Sequence, residues 1–200
     1  MITLVTGGSG SGKSEYAEGL ILDSSCSRRF YVATMIAYGK EGRDKVERHR
    51  MLRQGKGFIT IEKPRDVGRV MFEEHEAGSG ASSRADRALL LECVSNLAAN
   101  EMFKDEETGE AEAGEQQGSP IQCLSHKIAG DIISLAGQVR DMVIVTNEVC
   151  SECTRDSADM IRYKKILSEV HLPRTWWWSW FTAFPCSGSP SQDRQRLGLT

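Results

Sequence analysis

Gly7-Gly8-Ser9-Gly10-Ser11-Gly12-Lys13-Ser14 is the stretch that decides the fold. It fits the pattern G-x-x-x-x-G-K-[ST] at every fixed position. Residues 1 to 6 before it form a short apolar, β-branched run that reads as a strand stopping at the glycines. After it, from Lys13 to about Asp23, Tyr16, Ala17, Leu20 and Ile21 repeat with helical period. A strand, a glycine-rich turn and a helix in that order make a cradle for phosphate. The glycines let successive backbone N–H groups curl around the anion, and the helix N-terminus adds its positive end. Lys13 is then expected to reach the β- and γ-phosphates, and the Ser14 hydroxyl to ligate Mg²⁺.

Outward from this loop the chain alternates strand and helix. Phe30 to Ala33 reads as a second strand, residues 42 to 53 as a very polar helix, and Phe58 to Glu62 as a third strand. Pro64 is placed to open a helix running to about His75, and Gly78 to Ser83 is a loop. Ala88-Leu89-Leu90-Leu91 and Met142-Val143-Ile144-Val145-Thr146 are continuous apolar runs, the mark of strands covered on both faces. Helices are expected over 94–103 and from Ile121 to about Gln138. Strands alternating with helices at this spacing imply βαβ units, so the fold class is α/β: a P-loop NTPase-like, mostly parallel sheet flanked by helices.

Composition narrows the function. The 200 residues carry a net charge of −3 with 26% charged and 40% apolar residues, which excludes a disordered chain and argues against a nucleic-acid partner. No run of 18 apolar residues occurs, so no membrane span is expected. The opening has neither a basic n-region nor a cleavage site, and the expected location is the cytoplasm. Six unevenly spread cysteines do not make a disulfide scaffold, and Cys150-Ser151-Glu152-Cys153 lacks the second pair a zinc site needs. Residues 104–118 hold six acids and one lysine and read as part of a solvated insert loop over 104–120. Residues 40–56, by contrast, hold seven Lys/Arg against three acids, which suits a small anionic substrate.

Within that basic segment Lys45, His49 and Arg53 recur every four residues on one helical face, with Arg50 beside them. Fixed cations disfavour a protonated imidazole, so the neutral His49 ring is available as a nucleophile while the arginines hold a phosphate. A solvated basic helix with an incidental histidine is the plainer reading of the same residues. Glu92 ends the Leu89–Leu91 run where a metal-organising acid is expected. Asn147 and Glu148 end the later strand in the same way, and carboxyl ends of parallel strands face the ligand crevice.

These pieces together resemble the bifunctional adenosylcobinamide kinase/adenosylcobinamide-phosphate guanylyltransferase family of cobalamin biosynthesis. The resemblance runs in order through Leu4–Ser14, Tyr31-Val-Ala-Thr34, Arg48-His49-Arg50, Leu89–Cys93 and Val145–Val149, over roughly residues 1 to 171. It implies a two-step enzyme. A nucleoside triphosphate, ATP or GTP, first phosphorylates the aminopropanol hydroxyl of adenosylcobinamide, a corrinoid. GMP from GTP is then transferred through a covalent GMP-histidine to give adenosylcobinamide-GDP. By position His49 carries GMP and acts with Lys13. Nucleotide contacts carry over to Gly7, Gly8, Ser9, Gly10, Ser11, Gly12, Lys13, Ser14, Ala33, Thr34, Met35, Arg50, Met51, Leu52, Arg53, Glu62 and Glu92, with Mg²⁺ at Ser14 and Glu92. A homotrimer is implied as well. One departure is that Arg53 is followed by Gln54 where the family often has an Arg-Pro pair. A P-loop small-molecule kinase without guanylyl transfer is the alternative. A guanine-specific switch is disfavoured, because the chain has no Asn-Lys-x-Asp tetrapeptide.

The domain implied is residues 1–172, and residues 173–200 stand apart. Trp176, Trp177, Trp178 and Trp180 fall within five positions, three of the five prolines lie here, and no lysine does. A reading frame shifted near Leu172 accounts for this better than an idiosyncratic tail. The expectation is a poorly ordered tail and a sheet short of one strand.

Overall fold

Along each central strand apolar side chains alternate between two layers, and the helices sit where those layers need cover. The computed structural model describes residues 1–76, 82–104, 119–148 and 157–171, with the backbone of 181–185. Six strands run parallel: β1 (Ile2–Gly7), β2 (Arg28–Ala33), β3 (Phe58–Glu62), β4 (Arg87–Glu92), β5 (Asp141–Asn147) and β6 (Phe181–Pro185). Their order across the sheet is β3-β2-β4-β5-β1-β6. The helices are α1 (Lys13–Leu22), α2 (Gly39–Arg53), α3 (Val94–Met102), α4 (Pro120–Gly137) and α5 (Ala158–His171).

On one face Phe30 and Val32 of β2, Leu89 and Leu91 of β4, and Met142 and Ile144 of β5 meet Leu97, Ile128, Ile132, Leu135, Ile166 and Val170 from α3, α4 and α5. On the other, Val5, Tyr31, Leu90, Val143 and Val145 meet Ala17 and Ile21 of α1. Burial of this kind contributes about 1.5–3 kcal/mol for each large aliphatic side chain. α4 starts sharply because Ser119 and Gln122 form a reciprocal capping box with Pro120 at the first helical position. α2 is the exception. Arg53 is the one buried residue of its fifteen.

Two expectations need correction, and one helix lies beyond them. Pro64 to His75 is not an α-helix but two short 3₁₀ turns, Val67–Arg69 and Phe72–His75. Asp66 sits in the left-handed region (φ 50°), where no right-handed helix can pass. It is held there by Glu101 on its N–H and Lys127 on its carboxylate. α5 is an element the sequence pattern does not announce, although Ile166, Leu167 and Val170 are buried at helical spacing. The sheet is also not short of a strand at its β1 side, since β6 pairs in parallel with β1 from Ile2–Phe181 to Thr6–Pro185. The tryptophan cluster, the Cys150–Cys153 pair, residues 105–118 of the acidic insert and Gly78–Ala81 lie outside the described residues. No helix among the described residues is long and apolar enough to cross a membrane.

Candidate functional site

Strand register builds the site. Ala33 of β2 pairs with Glu62 of β3 on one side and with Glu92 of β4 on the other, so both carboxylates end in one row at the carboxyl edge of the sheet. Gly7 ends β1 opposite Asn147 of β5 at the same edge. The phosphate loop leaves β1 here. Gly10 and Gly12 take φ 73° and 82°, values that suit glycine alone, and they turn the chain into α1. Lys13 is buried and its Nζ donates to the Gly8 carbonyl at 2.7 Å, drawing the loop around its own lysine. The Ser11 hydroxyl is buried with no hydrogen-bond partner. Ser14 Oγ donates to Glu92 Oε1 at 2.5 Å, which joins the loop to the β4 carboxylate.

Beside this junction a pocket is lined by Tyr31, Ala33, Met35, Val46, His49, Arg53, Glu62, Glu92 and Asn96. The Tyr31 hydroxyl donates to Glu92 Oε2. Burial, reinforced by the Glu92 charge, pushes the Tyr31 phenol well above its ordinary value. Arg53 lies with Cζ 4.1 Å from the Tyr31 ring centroid, and its Nε has no hydrogen-bond partner. Arg50 turns to Glu62, with Nε and Nη2 at 2.8 and 2.5 Å from the same carboxylate oxygen. Both partners are half exposed, so solvent screens the pair. An anion entering the pocket therefore meets Arg53 as a desolvated cation, while Arg50 is already engaged by a carboxylate.

The structure brings most of the expected residues together. Ala33, Met35, His49, Arg53, Glu62 and Glu92 share the pocket, and Ser14 reaches it through Glu92. Arg50 lines the adjoining cleft with Arg53, Gln54, Gly55 and Glu62. Thr34 does not face the pocket. It is fully buried, and its Oγ1 accepts from the Cys93 N–H at 2.8 Å and donates to the Cys93 carbonyl at 2.9 Å, clamping the turn after Glu92. Met51 and Leu52, expected as nucleotide contacts, are each 60% exposed and lie outside both lining sets. On α2 the inward stripe is Val46, His49 and Arg53, with Lys45 turned out to solvent. Glu148 is exposed; its N–H donates to the Gly7 carbonyl at 3.0 Å. Tyr31, Val46 and Asn96 are pocket residues that sequence reasoning missed. The available signal was Tyr31's place two residues before Ala33, on the same face of β2.

Two oxygen groups suit a magnesium ion here, the Ser14 hydroxyl and the Glu92 carboxylate, since hard cations take oxygen donors. A second acidic cluster, Asp66, Glu101 and Asp131, brings its oxygens within 4.8 Å of one another. Lys127 occupies it, with Nζ at 2.8, 2.6 and 3.1 Å from the three carboxylates, and the cluster is an ion-pair hub.

A family model described as cobinamide kinase / cobinamide phosphate guanyltransferase matches residues 3–173. The chain belongs to this family. The bifunctional adenosylcobalamin biosynthesis protein CobU of Escherichia coli (strain K12) is 31% identical over 176 residues, covering 86% of this chain and 88% of that protein. Two solved ATPase structures are more loosely similar. One, a single ATPase domain, has a TM-score of 0.42 at 8% identity, over 84% of this chain and 66% of its own. The other, a prototypical ATPase from the type III secretion system of pathogenic bacteria, has a TM-score of 0.45 at 14% identity, over 99% and 54%. As a cobinamide kinase/guanyltransferase the chain phosphorylates cobinamide and transfers a guanylyl group to cobinamide phosphate, two steps of cobalamin biosynthesis.

Proposed function

We propose that guanylyl transfer proceeds through a GMP adduct on His49 and that phosphoryl transfer is organised by Lys13, Ser14 and Glu92. The observation that carries this reading is that His49, Arg53, Glu62 and Glu92 line one pocket, joined to the phosphate loop by the Ser14–Glu92 hydrogen bond. In the first step the aminopropanol hydroxyl oxygen of adenosylcobinamide attacks the γ-phosphorus of ATP or GTP. The bond to the β–γ bridging oxygen breaks, the nucleoside diphosphate leaves, and the hydroxyl proton is released to solvent. Lys13 and the loop amides hold the triphosphate as charge shifts along it. Ser14 and Glu92 would hold Mg²⁺, which when bound neutralises phosphate charge.

In the second step an unprotonated ring nitrogen of His49 attacks the α-phosphorus of GTP and pyrophosphate departs. Arg53 lines the same pocket and would meet the charge that develops on the phosphate oxygens. A phosphate oxygen of the corrinoid phosphate then attacks the same phosphorus, the N–P bond breaks, and His49 returns neutral. This reading also places the enzyme in the cytoplasm as a homotrimer, acting on a corrinoid and on nucleoside triphosphates, with no nucleic-acid partner.

His49→Asn keeps polarity and approximate size but removes the nucleophile. Incubation with [α-³²P]GTP should leave acid-labile label on the parent and none on the variant. Guanylyl transfer is lost and kinase activity is largely retained. An Asn variant that still takes up label places the nucleophile elsewhere. Equal loss of both activities in a folded variant makes His49 a shared binding residue.

A further inference from the structure

Tyr31 touches the parts of the site assigned to both steps. Its side chain is 1% exposed, near the middle of β2. Its hydroxyl donates to Glu92 Oε2 while Ser14 Oγ donates to Glu92 Oε1, so each oxygen of that carboxylate is engaged by a different element. One ring face carries the Arg53 guanidinium, and Phe58 packs edge-on with centroids 5.7 Å apart at 81°. Arg53 is the single buried residue of α2 and lies one helical turn after His49, on the same face.

We propose that Tyr31 is a positioning residue for both reactions: its hydroxyl fixes the plane of the Glu92 carboxylate for phosphoryl transfer, and its ring anchors, through Arg53, the helix that carries His49. This rests on the roles given above to Glu92 and His49. The terminal torsion of a glutamate is broad, so a carboxylate pinned at one oxygen swings readily. A second donor fixes it. The Ser14 hydroxyl is the donor that would be shared with a cation, and the Tyr31 hydroxyl is the one that stays on the carboxylate. Packing alone does not explain the hydroxyl, because a phenylalanine would fill the same volume without a polar group to desolvate. The ring matters separately. A guanidinium on an aromatic face within a desolvated site is a cation–π contact, and on α2 it is the contact that buries a residue of the helix against the sheet.

The two halves separate by substitution. Tyr31→Phe removes the hydroxyl and keeps the ring, whereas Tyr31→Leu removes both. The readouts are the affinity for N-methylanthraniloyl-ATP with and without Mg²⁺, the kinase kcat, and the rate of labelling from [α-³²P]GTP. For Y31F the gain in nucleotide affinity on adding Mg²⁺ and the kinase kcat should each fall roughly tenfold, the size of a lost hydrogen bond to a charged group. Labelling should stay within about twofold of the parent, as a retained cation–π contact requires. Y31L should slow labelling roughly tenfold as well. Metal-free nucleotide affinity should be unchanged in Y31F, since the phosphate loop and the Arg53 contact are both kept. The proposal is overturned if Y31F keeps its Mg²⁺ response and kcat, or if Y31F and Y31L slow labelling alike. It is equally overturned if the metal-free affinity of Y31F falls with the rest, which makes Tyr31 merely structural. If the parent takes up no label, the GMP-histidine reading fails and the ring half falls with it. The Mg²⁺ measurement then decides the hydroxyl half.

Discussion

Replacing Lys127 by glutamine tests whether the Asp66–Glu101–Asp131 hub holds the turn after β3 in place. Lys127 Nζ lies 2.6 Å from Glu101, whose side chain is 1% exposed, and 2.8 and 3.1 Å from Asp66 and Asp131, at 21% and 20%. Breaking a fully buried pair costs about 3–5 kcal/mol. Lys127 itself is 35% exposed, so water replaces part of what is lost, and about 2–3 kcal/mol is the expected cost at pH 7. For a domain of this size that lowers Tm by roughly 5–10 °C. The sign with pH is specific. The hydrogen bond from Lys127 holds the Asp66 carboxyl below its ordinary range. Its contribution is therefore present above about pH 4, the unfolded value, and is lost as pH falls through the folded one. In K127Q the Asp66 carboxylate loses that donor while Glu101 and Asp131 stay close to it, so the stabilisation its charged form supplied above about pH 4 is lost. Melting curves followed by far-UV circular dichroism should show the gap between parent and variant widest at pH 7 and narrowing toward about pH 3.5. A gap below about 2 °C at pH 7, or one that does not change with pH, refutes the coupling.

Two further changes probe the loop and the same hub. Lys13→Ala should lower both activities by at least about 100-fold in kcat/KM, since each step seats its triphosphate in the loop; full guanylyl transfer by this variant, measured as corrinoid-GDP formed, would mean that the loop serves the kinase step alone. Gly68→Ala sets a Cβ 2.4 Å from Asp131 Oδ1 and 2.9 Å from the Asp131 Cα, so α4 itself must shift. A loss of about 1–3 kcal/mol is expected from urea unfolding, and an unchanged midpoint refutes that close approach.

The phosphate loop, the buried strands and the polar helix were legible because each carries a local signal: a fixed spacing, an unbroken apolar run, or a charge pattern. His49 and Glu92 carry such signals too, whereas Glu62 came only with the family resemblance; strand register sets the two carboxylates in one row, and His49 lines the same pocket from α2. What local signals do not carry is phase and long-range pairing. The stripe Lys45–His49–Arg53 follows charge, whereas the face that meets the sheet runs through Val46, one position away. Met51 and Leu52 look apolar enough to be inside but stand exposed beside the buried Arg53. Tyr31 was hidden by its own strand, where an aromatic residue reads as core until the hydroxyl's partner is known. The turn at Asp66 depends on Lys127, sixty-one positions away, and no propensity scale sees that. α5 dilutes its apolar stripe with Arg162, Lys164, Lys165 and Glu169. β6 has no periodic pattern of its own and is defined by its pairing with β1.

The alternation of the two layers sets which length changes this chain tolerates. Phe30 and Val32 belong to one layer, Tyr31 and Ala33 to the other. Deleting a single residue inside β2 would exchange the layers from that point on. The tyrosine ring would be carried to the side of the sheet opposite Arg53, and Glu92 would lose its hydroxyl partner. Deleting two would keep the faces but slide Ala33 off the row it shares with Glu62 and Glu92. No such deletion within the strand keeps both parity and row, whereas connections that cross the surface carry no such constraint. Drift in chain length among relatives should therefore collect between the elements and leave β2, β3 and β4 at constant length.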